Sequence, residues 1–172
     1  TIEEVLGPGG DARAEVLSVA RSFGLDAKFP RDVEDEAAAC RETPSADDLE
    51  GREDLRDLLC VTIDPADAKD FDDAVSIEPM PHGAVRLGVH IADVSHFVRE
   101  GSALDHEARR RGTSVYLVDQ VIPMLPERLS NHLCSLRPGV DRLTYSVLME
   151  VTAEGNVRSY RIVPAIIRSA RR

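Results

Sequence analysis

Three short runs rich in branched apolar residues, LLCVTI (58–63), AVSIEP (74–79) and AVRLGVHIA (84–92), constrain the fold most. Each has strand length and is bounded by turn signals, and MPHG between the last two predicts a hairpin. Between the first and second runs stands DPADAKDFDD (64–73), which places Asp64, Asp67, Asp70, Asp72 and Asp73 beside the expected core. Further strands are predicted over TSVYLV, TYSVLMEVTA and VRSYRIVPAIIRS, with a turn at EGN. Helices are expected from Asp11 as N-cap through ARAEVLSVARSF to Gly24, from Pro30 through DVEDEAAAC, and from Ser102 through ALDHEARRR to Gly112. Residues 42–57 are polar, acidic and broken by Pro44 and Gly51, and read as a mobile connector or a short surface helix. Strands outnumber helices after residue 58 and their connections are mostly hairpin-like. The expected class is therefore α+β, with a mixed or antiparallel sheet core and flanking helices.

With 172 residues, 42% of them hydrophobic, the chain can build one ordinary core. No run of 18 apolar residues occurs, and TIEEVLGPGG lacks the basic and apolar regions of a secretion signal. Cys40, Cys60 and Cys134 are odd in number and form no Cys-x-x-Cys pair, which argues against a disulfide framework or a thiolate zinc site. The expected compartment is the cytoplasm, with no membrane partner. The net charge of −10 conceals an asymmetry: residues 1–57 carry −9, residues 58–107 carry −7, and residues 108–172 carry +6. An acidic total weighs against a polyanionic partner. What such a partner needs, however, is a local basic surface, and the last third can supply one.

Asp70 and Asp72 alternate along an extended backbone and so share a side, while Asp64 and Asp73 lie at the ends of the flanking strands. Carboxylates converging in this way repel, raising one another's pKa or straining the fold. A hard divalent cation removes the conflict, and Mg2+ prefers oxygen ligands of this kind while keeping some of its waters. The stretch therefore reads as a magnesium site, with an Asp-rich surface turn as the plainer alternative. An EF-hand loop starting at Asp64 fails, because Ala66, Ala68 and Val75 stand where ligands are needed. A haloacid-dehalogenase pattern fits poorly, with Lys69 before Asp70 and Ala74 in the fifth place. Neither a phosphate loop ending in Gly-Lys-Ser/Thr nor a Gly-x-Ser-x-Gly elbow occurs.

VTIDPADAKDFDDAVSIE, followed by LGVHIADVSHFVREGSALDHEARRRGTSVYLVDQVIPMLPERLSNHLCSLRPGVDRLTYSVLMEV, resembles the catalytic RNB domain of the ribonuclease II and ribonuclease R family. The likeness is dense from Leu59 to Arg172, and VLGPGGDARAEVLSVARSFGL resembles the segment leading into that domain. It implies a helical, acidic lead-in over 1–57 and the N-terminal part of an RNB domain over 58–172. It also implies magnesium-dependent 3'-to-5' hydrolysis of single-stranded RNA to nucleoside 5'-monophosphates. The family's four catalytic-site aspartates fall on Asp64, Asp70, Asp72 and Asp73, leaving Asp67 as a bystander. By that resemblance Asp64, Asp70 and Asp73 are metal ligands. Asp72, together with Asp70, is catalytic, orienting the metal or the attacking water.

Tyr116 matches the family's tyrosine that stacks on a base near the RNA 3' end, an interaction worth about 1–3 kcal/mol and tolerant of sequence. Arg109 and Arg110 are candidate RNA contacts. Arg111 follows them, but three consecutive arginines on a helix cannot share one face. His90 and His96, six apart, read as core or supporting positions rather than ligands. The family continues beyond IIRSARR with another tyrosine and an arginine near the scissile phosphate, so an incomplete domain and weak activity of the isolated chain are expected. Expected partners are single-stranded RNA and either the remainder of the RNB domain as a second polypeptide or a self-associating copy. Such a partner would be drawn by apolar edges at YSVLMEV and YRIVPAII. Two rival readings remain: an RNB-like module that binds RNA or protein without cutting, and a dehalogenase-type phosphatase using Asp70. The intact aspartate set favours the nuclease.

Overall fold

The computed structural model describes residues 4–118 and 120–172. Its helices are α1 (Ala12–Ser22), α2 (Arg31–Ala39), α3 (Ala46–Leu49) and α4 (Ala103–Arg111). Its strands are β1 (Glu53–Asp54), β2 (Cys60–Val61), β3 (Asp73–Pro79), β4 (Val85–Ala92), β5 (Val115–Tyr116), β6 (Val121–Ile122), β7 (Asp141–Val151) and β8 (Val157–Arg171). The chain divides into two compact units, one built from residues up to 38 with 100–126, the other from 39–99 with 127–172.

The first unit packs helices over a small core of Ala20, Val33, Ala37, Leu104, Ile122 and Leu125. Asp11 caps α1 by accepting from the Arg13 N–H, and Ser102 caps α4 by accepting from the Asp105 N–H, as the sequence predicts. Glu36 ties α2 to α4 by accepting from the Leu104 N–H at 3.1 Å. TSVYLV contributes only Val115–Tyr116 as strand, paired with Val121–Ile122 in a short hairpin.

The second unit is built on a mixed sheet that closes on itself. Its strand order is β1-β8-β2-β3-β4-β7, and β7 pairs again with β8. Every pairing is antiparallel except those of β8 with β1 and β2. The β3–β4 turn has His82 at φ 60° and Gly83 at φ 75°, the left-handed pair that a tight hairpin requires. LLCVTI shortens to Cys60–Val61 as strand, leaving Leu59 and Ile63 exposed. The 42–57 stretch is anchored rather than mobile. Ser45 and Asp48 form a capping box on α3, Arg52 pairs with Asp93, and the Leu55 N–H donates to the Ile166 carbonyl at 2.9 Å.

The two faces of this sheet differ in the size of their side chains. Ala74, Ser76, Gly88, His90, Thr144 and Ser146 point inward and are buried. Rows of Ile77, Leu87, Met149 and Tyr160, and of Val75, Val89, Val147 and Ile162, run across four strands on the outer face. Ile77, Tyr160 and Ile162 are more than half exposed. A closed ring of few strands leaves little room inside, so these two rows turn outward, while Leu148 fits inside opposite the side-chain-free Gly88.

His90 fills the ring interior. Its Nε2 meets Ser76 Oγ at 3.0 Å, its Nδ1 meets Ser146 Oγ at 2.8 Å, and Ser146 continues to Thr144 Oγ1 at 3.0 Å. Gly88 permits this, because a Cβ there would lie 2.7 Å from His90 Nε2. Burial lowers the His90 pKa to about 4. The unfolded chain therefore takes up a proton near pH 6.5 that the folded chain refuses until about pH 4. Stability conferred by the neutral ring is complete above pH 6.5 and is lost as pH falls through that window, by about 3 kcal/mol in all. Urea unfolding at pH 7.0 and pH 4.5 should show this loss. The slope over that interval should flatten in His90→Gln, whatever that variant's absolute stability.

Candidate functional site

Chain direction brings the aspartates together. Residues 62–72 leave β2 without regular structure, reverse at a turn closed by the Ala68 N–H to the Pro65 carbonyl, and enter β3 at Asp73. The segment is pinned at several points. The Thr62 N–H donates to the Arg171 carbonyl at 3.1 Å, the Leu136 N–H to the Phe71 carbonyl at 2.9 Å, and the Ala92 N–H to the Asp72 carbonyl at 2.9 Å. Phe71 is buried, with the Arg172 guanidinium 5.1 Å from its ring centroid, and Arg172 also bonds the Pro65 carbonyl. Asp67 is exposed at the turn.

Asp72 is exposed, yet the protein around it desolvates its carboxylate enough to raise its pKa above the ordinary value. The charges of Asp70, Asp73 and Asp64 raise it further. Asp64 Oδ2 is buried and has no hydrogen-bond partner among the described residues. An orphaned carboxylate oxygen and a neighbour crowded by like charge fit a hard divalent cation, the one group that satisfies both. Among the described residues, no three Asp, Glu, His or Cys side chains are yet gathered closely enough to hold an ion as they stand.

Thr62 Oγ1, two residues before Asp64, is likewise buried without a hydrogen-bond partner among the described residues, whereas His90 and Asp93 have structural partners. His90 lies in the ring interior, with both ring nitrogens bonded to serines. Asp93 is almost fully buried. Burial alone would raise its pKa, but hydrogen bonds from Ser95 and Arg52 outweigh this and hold it below the usual value. Ser135, buried against the aspartate segment, and Arg142, buried against the Ser135 carbonyl, went unremarked from the letters alone. Each lies within the stretch that carries the family resemblance, but nothing in its spacing marks it.

Tyr116, Arg109 and Arg110 belong to the first unit, whereas the aspartates belong to the second. Tyr116 is 69% exposed on the β5–β6 hairpin. On α4 the three arginines diverge. Arg109 reaches solvent while bonded to Asp105, and Arg110 does so while bonded to Glu107. Arg111 is buried, with hydrogen bonds to Glu107 and to the Pro123 and Lys28 carbonyls, and it lies 3.8 Å from the Phe29 ring centroid. One arginine thus holds the unit together and two face outward.

Comparison with known proteins matches residues 52–172 to the RNB domain. The chain is 54% identical to ribonuclease R of Thermotoga maritima over 99% of its own length and 24% of that relative's. It is 48% identical to ribonuclease R 1 of Lactococcus lactis, covering 99% of this chain and 21% of the relative. The chain therefore spans about a quarter of the length of these relatives. Its structure is similar to that of Mycoplasma genitalium RNase R in complex with ribose-methylated single-stranded RNA. There the TM-score is 0.94 and the identity 33%, over 100% of this chain and 27% of the other. It is also similar to yeast Ssd1, a pseudonuclease, with TM-score 0.78 and 25% identity over 96% of this chain and 21% of the other.

The carboxylate crowding has a thermal signature. In EDTA, Asp72→Asn should melt about 2–4 °C above the unsubstituted chain, as expected from relieving about 1 kcal/mol of repulsion at a partly exposed site. Added Mg2+ should shrink that gap by stabilising the unsubstituted chain more. Calorimetric scans with and without Mg2+ measure both.

Proposed function

The chain belongs to the RNB-domain family, and from that premise we propose that it forms part of a magnesium-dependent 3'-to-5' exoribonuclease acting on single-stranded RNA. The observation that carries this reading is the aspartate set: Asp64, Asp70 and Asp73 all act on Asp72, and Asp64 presents an unsatisfied buried oxygen. Asp64, Asp70 and Asp73 would hold Mg2+, which when bound supplies Lewis-acid stabilisation of the oxygens exchanged at phosphorus. We assign Asp72 to orienting the attacking water, a role that its raised pKa supports by letting it carry the water's proton. The products of that chemistry are nucleoside 5'-monophosphates. Tyr116 is assigned to base stacking, and Arg109 and Arg110 to phosphate contacts, with the cytoplasm as compartment. We take the RNB region to begin near residue 58, after an acidic lead-in over 1–57.

The exposed apolar rows on β3, β4, β7 and β8 support a polypeptide partner, either the remainder of an RNB domain or a second copy of this chain. Similarity to a pseudonuclease favours one rival, a module that binds RNA without cutting it. The intact aspartates weigh against that rival. The dehalogenase-type reading is set aside, because the RNB match spans the aspartates and the strand that follows them is in an antiparallel hairpin.

The test offers 5'-labelled single-stranded RNA and p-nitrophenyl phosphate, each with Mg2+ or EDTA, to this chain alone and to it combined with the remainder of an RNB domain. Mg2+-dependent release of mononucleotides by the combined protein is expected, with activity near background for the chain alone. Asp72→Asn should lower cleavage by at least 10²-fold while RNA affinity holds or improves, since a negative charge facing phosphate is gone. Unchanged cleavage by that variant removes Asp72 from the mechanism. RNA binding without any cleavage by the unsubstituted protein supports the non-catalytic module. Tyr116→Ala should weaken binding of short RNAs by about 1–3 kcal/mol and lengthen the limit product on a denaturing gel.

A further inference from the structure

We propose that Ser135 is a positioning residue that fixes the backbone on both sides of Asp70 and so sets where Asp70 and Asp72 point. This rests on the reading of the aspartates as the working site. Ser135 is completely buried. Its Oγ accepts from the Phe71 N–H at 3.1 Å and donates to the Lys69 carbonyl at 2.8 Å, bracketing Asp70 in the chain. The next residue continues the clamp, the Leu136 N–H donating to the Phe71 carbonyl at 2.9 Å. A hydroxyl is a donor and an acceptor at once, and here both capacities are used on a single loop.

The clamp is itself held from behind. Arg142, 3% exposed, donates from Nε to the Ser135 carbonyl at 2.9 Å, from Nη2 to the His132 carbonyl at 2.8 Å, and from Nη1 to the Asp141 carbonyl at 3.0 Å. Burying a guanidinium against backbone carbonyls is costly, and what it secures is the path of the chain through Ser135. The order of restraint runs from Arg142 on β7 through Ser135 to the loop bearing Asp70 and Asp72. Carboxylates that repel one another drift apart unless their backbone is fixed, and a cation site tolerates only small displacements of its ligands. Supporting partners of metal ligands typically change metal affinity 10- to 100-fold when removed.

The experiment titrates the 172-residue chain with Mn2+, a paramagnetic probe for the proposed Mg2+ site, and follows the Phe71 amide by hydrogen exchange. Ser135→Ala should lose at least tenfold in Mn2+ affinity and expose the Phe71 amide to exchange, while amides in the β4–β7 ladder such as Val89 stay protected. Ser146→Ala removes a buried hydroxyl elsewhere in the ring and should keep Mn2+ affinity within twofold. Ser135→Cys, which retains volume and a weak donor, should fall between the alanine variant and the unsubstituted chain, and it replaces the alanine variant if that does not fold. Mn2+ affinity within twofold in the Ser135 variants, or equal losses in Ser135→Ala and Ser146→Ala, overturns the proposal. So does a Phe71 amide that stays protected. If Asp64→Asn leaves Mn2+ affinity of the chain unchanged, the metal reading of the aspartates fails, and the clamp is then decided by the Phe71 amide alone.

Discussion

The long strand β8 hydrogen-bonds antiparallel to β7 along one edge and parallel to β1 and then β2 along the other, and this turns a hairpin meander into a closed ring. Closure removes most free edges and fixes where β2 must end. Because Cys60 pairs with both Ser169 and Ser76, the chain leaving β2 is delivered beside the start of β3, and the aspartate segment has to bridge that interval. The position of the candidate site thus follows from strand pairing between residues more than a hundred positions apart.

The same closure accounts for a polar interior. Ser76, His90, Ser146 and Thr144 bond one another across β3, β4 and β7, so each buried polar atom of this chain of contacts has a partner. A network satisfied in this way specifies register, since a one-residue slip would bring the outward Ile and Val residues into the narrow interior. The converse is an outer face of Ile, Val, Met and Tyr that, among the described residues, has no covering layer.

The aspartates put a second demand on the fold. Their mutual field raises the Asp72 pKa and works against assembly of the site, yet their backbone is held from several directions, by residues 92, 135, 136 and 171. Rigid backbone support keeps repelling carboxylates from drifting onto other partners. The first unit answers a different requirement. On α4, Glu107 draws Arg111 inward while Arg109 and Arg110 remain at the surface, so one short helix supplies both a core ion pair and outward positive charge.

Two helix starts were legible in the sequence because capping is local: Asp11 and Ser102 each bond an amide within three residues of themselves, whereas the Ser45 cap of α3 emerged only from the structure. The β3–β4 hairpin was legible for the same reason, as was the crowding of carboxylates between two strands. The family followed from the order of several motifs. What the letters did not reveal was which face of each strand is inside, because alternation marks two faces without naming the buried one, and ring closure reverses the usual choice. Nor did they reveal Ser135 or Arg142, whose roles depend on contacts made across the tertiary structure. Local pattern marked three helices, the β3–β4 hairpin and the crowding of charge, and the order of motifs carried the family resemblance. Only the closure of β8 on β7 and β2, a non-local pairing, decided that Ser76, His90, Thr144 and Ser146 line the interior, that the rows through Ile77 and Val75 lie on the outer face, and that a buried serine meets the aspartate loop.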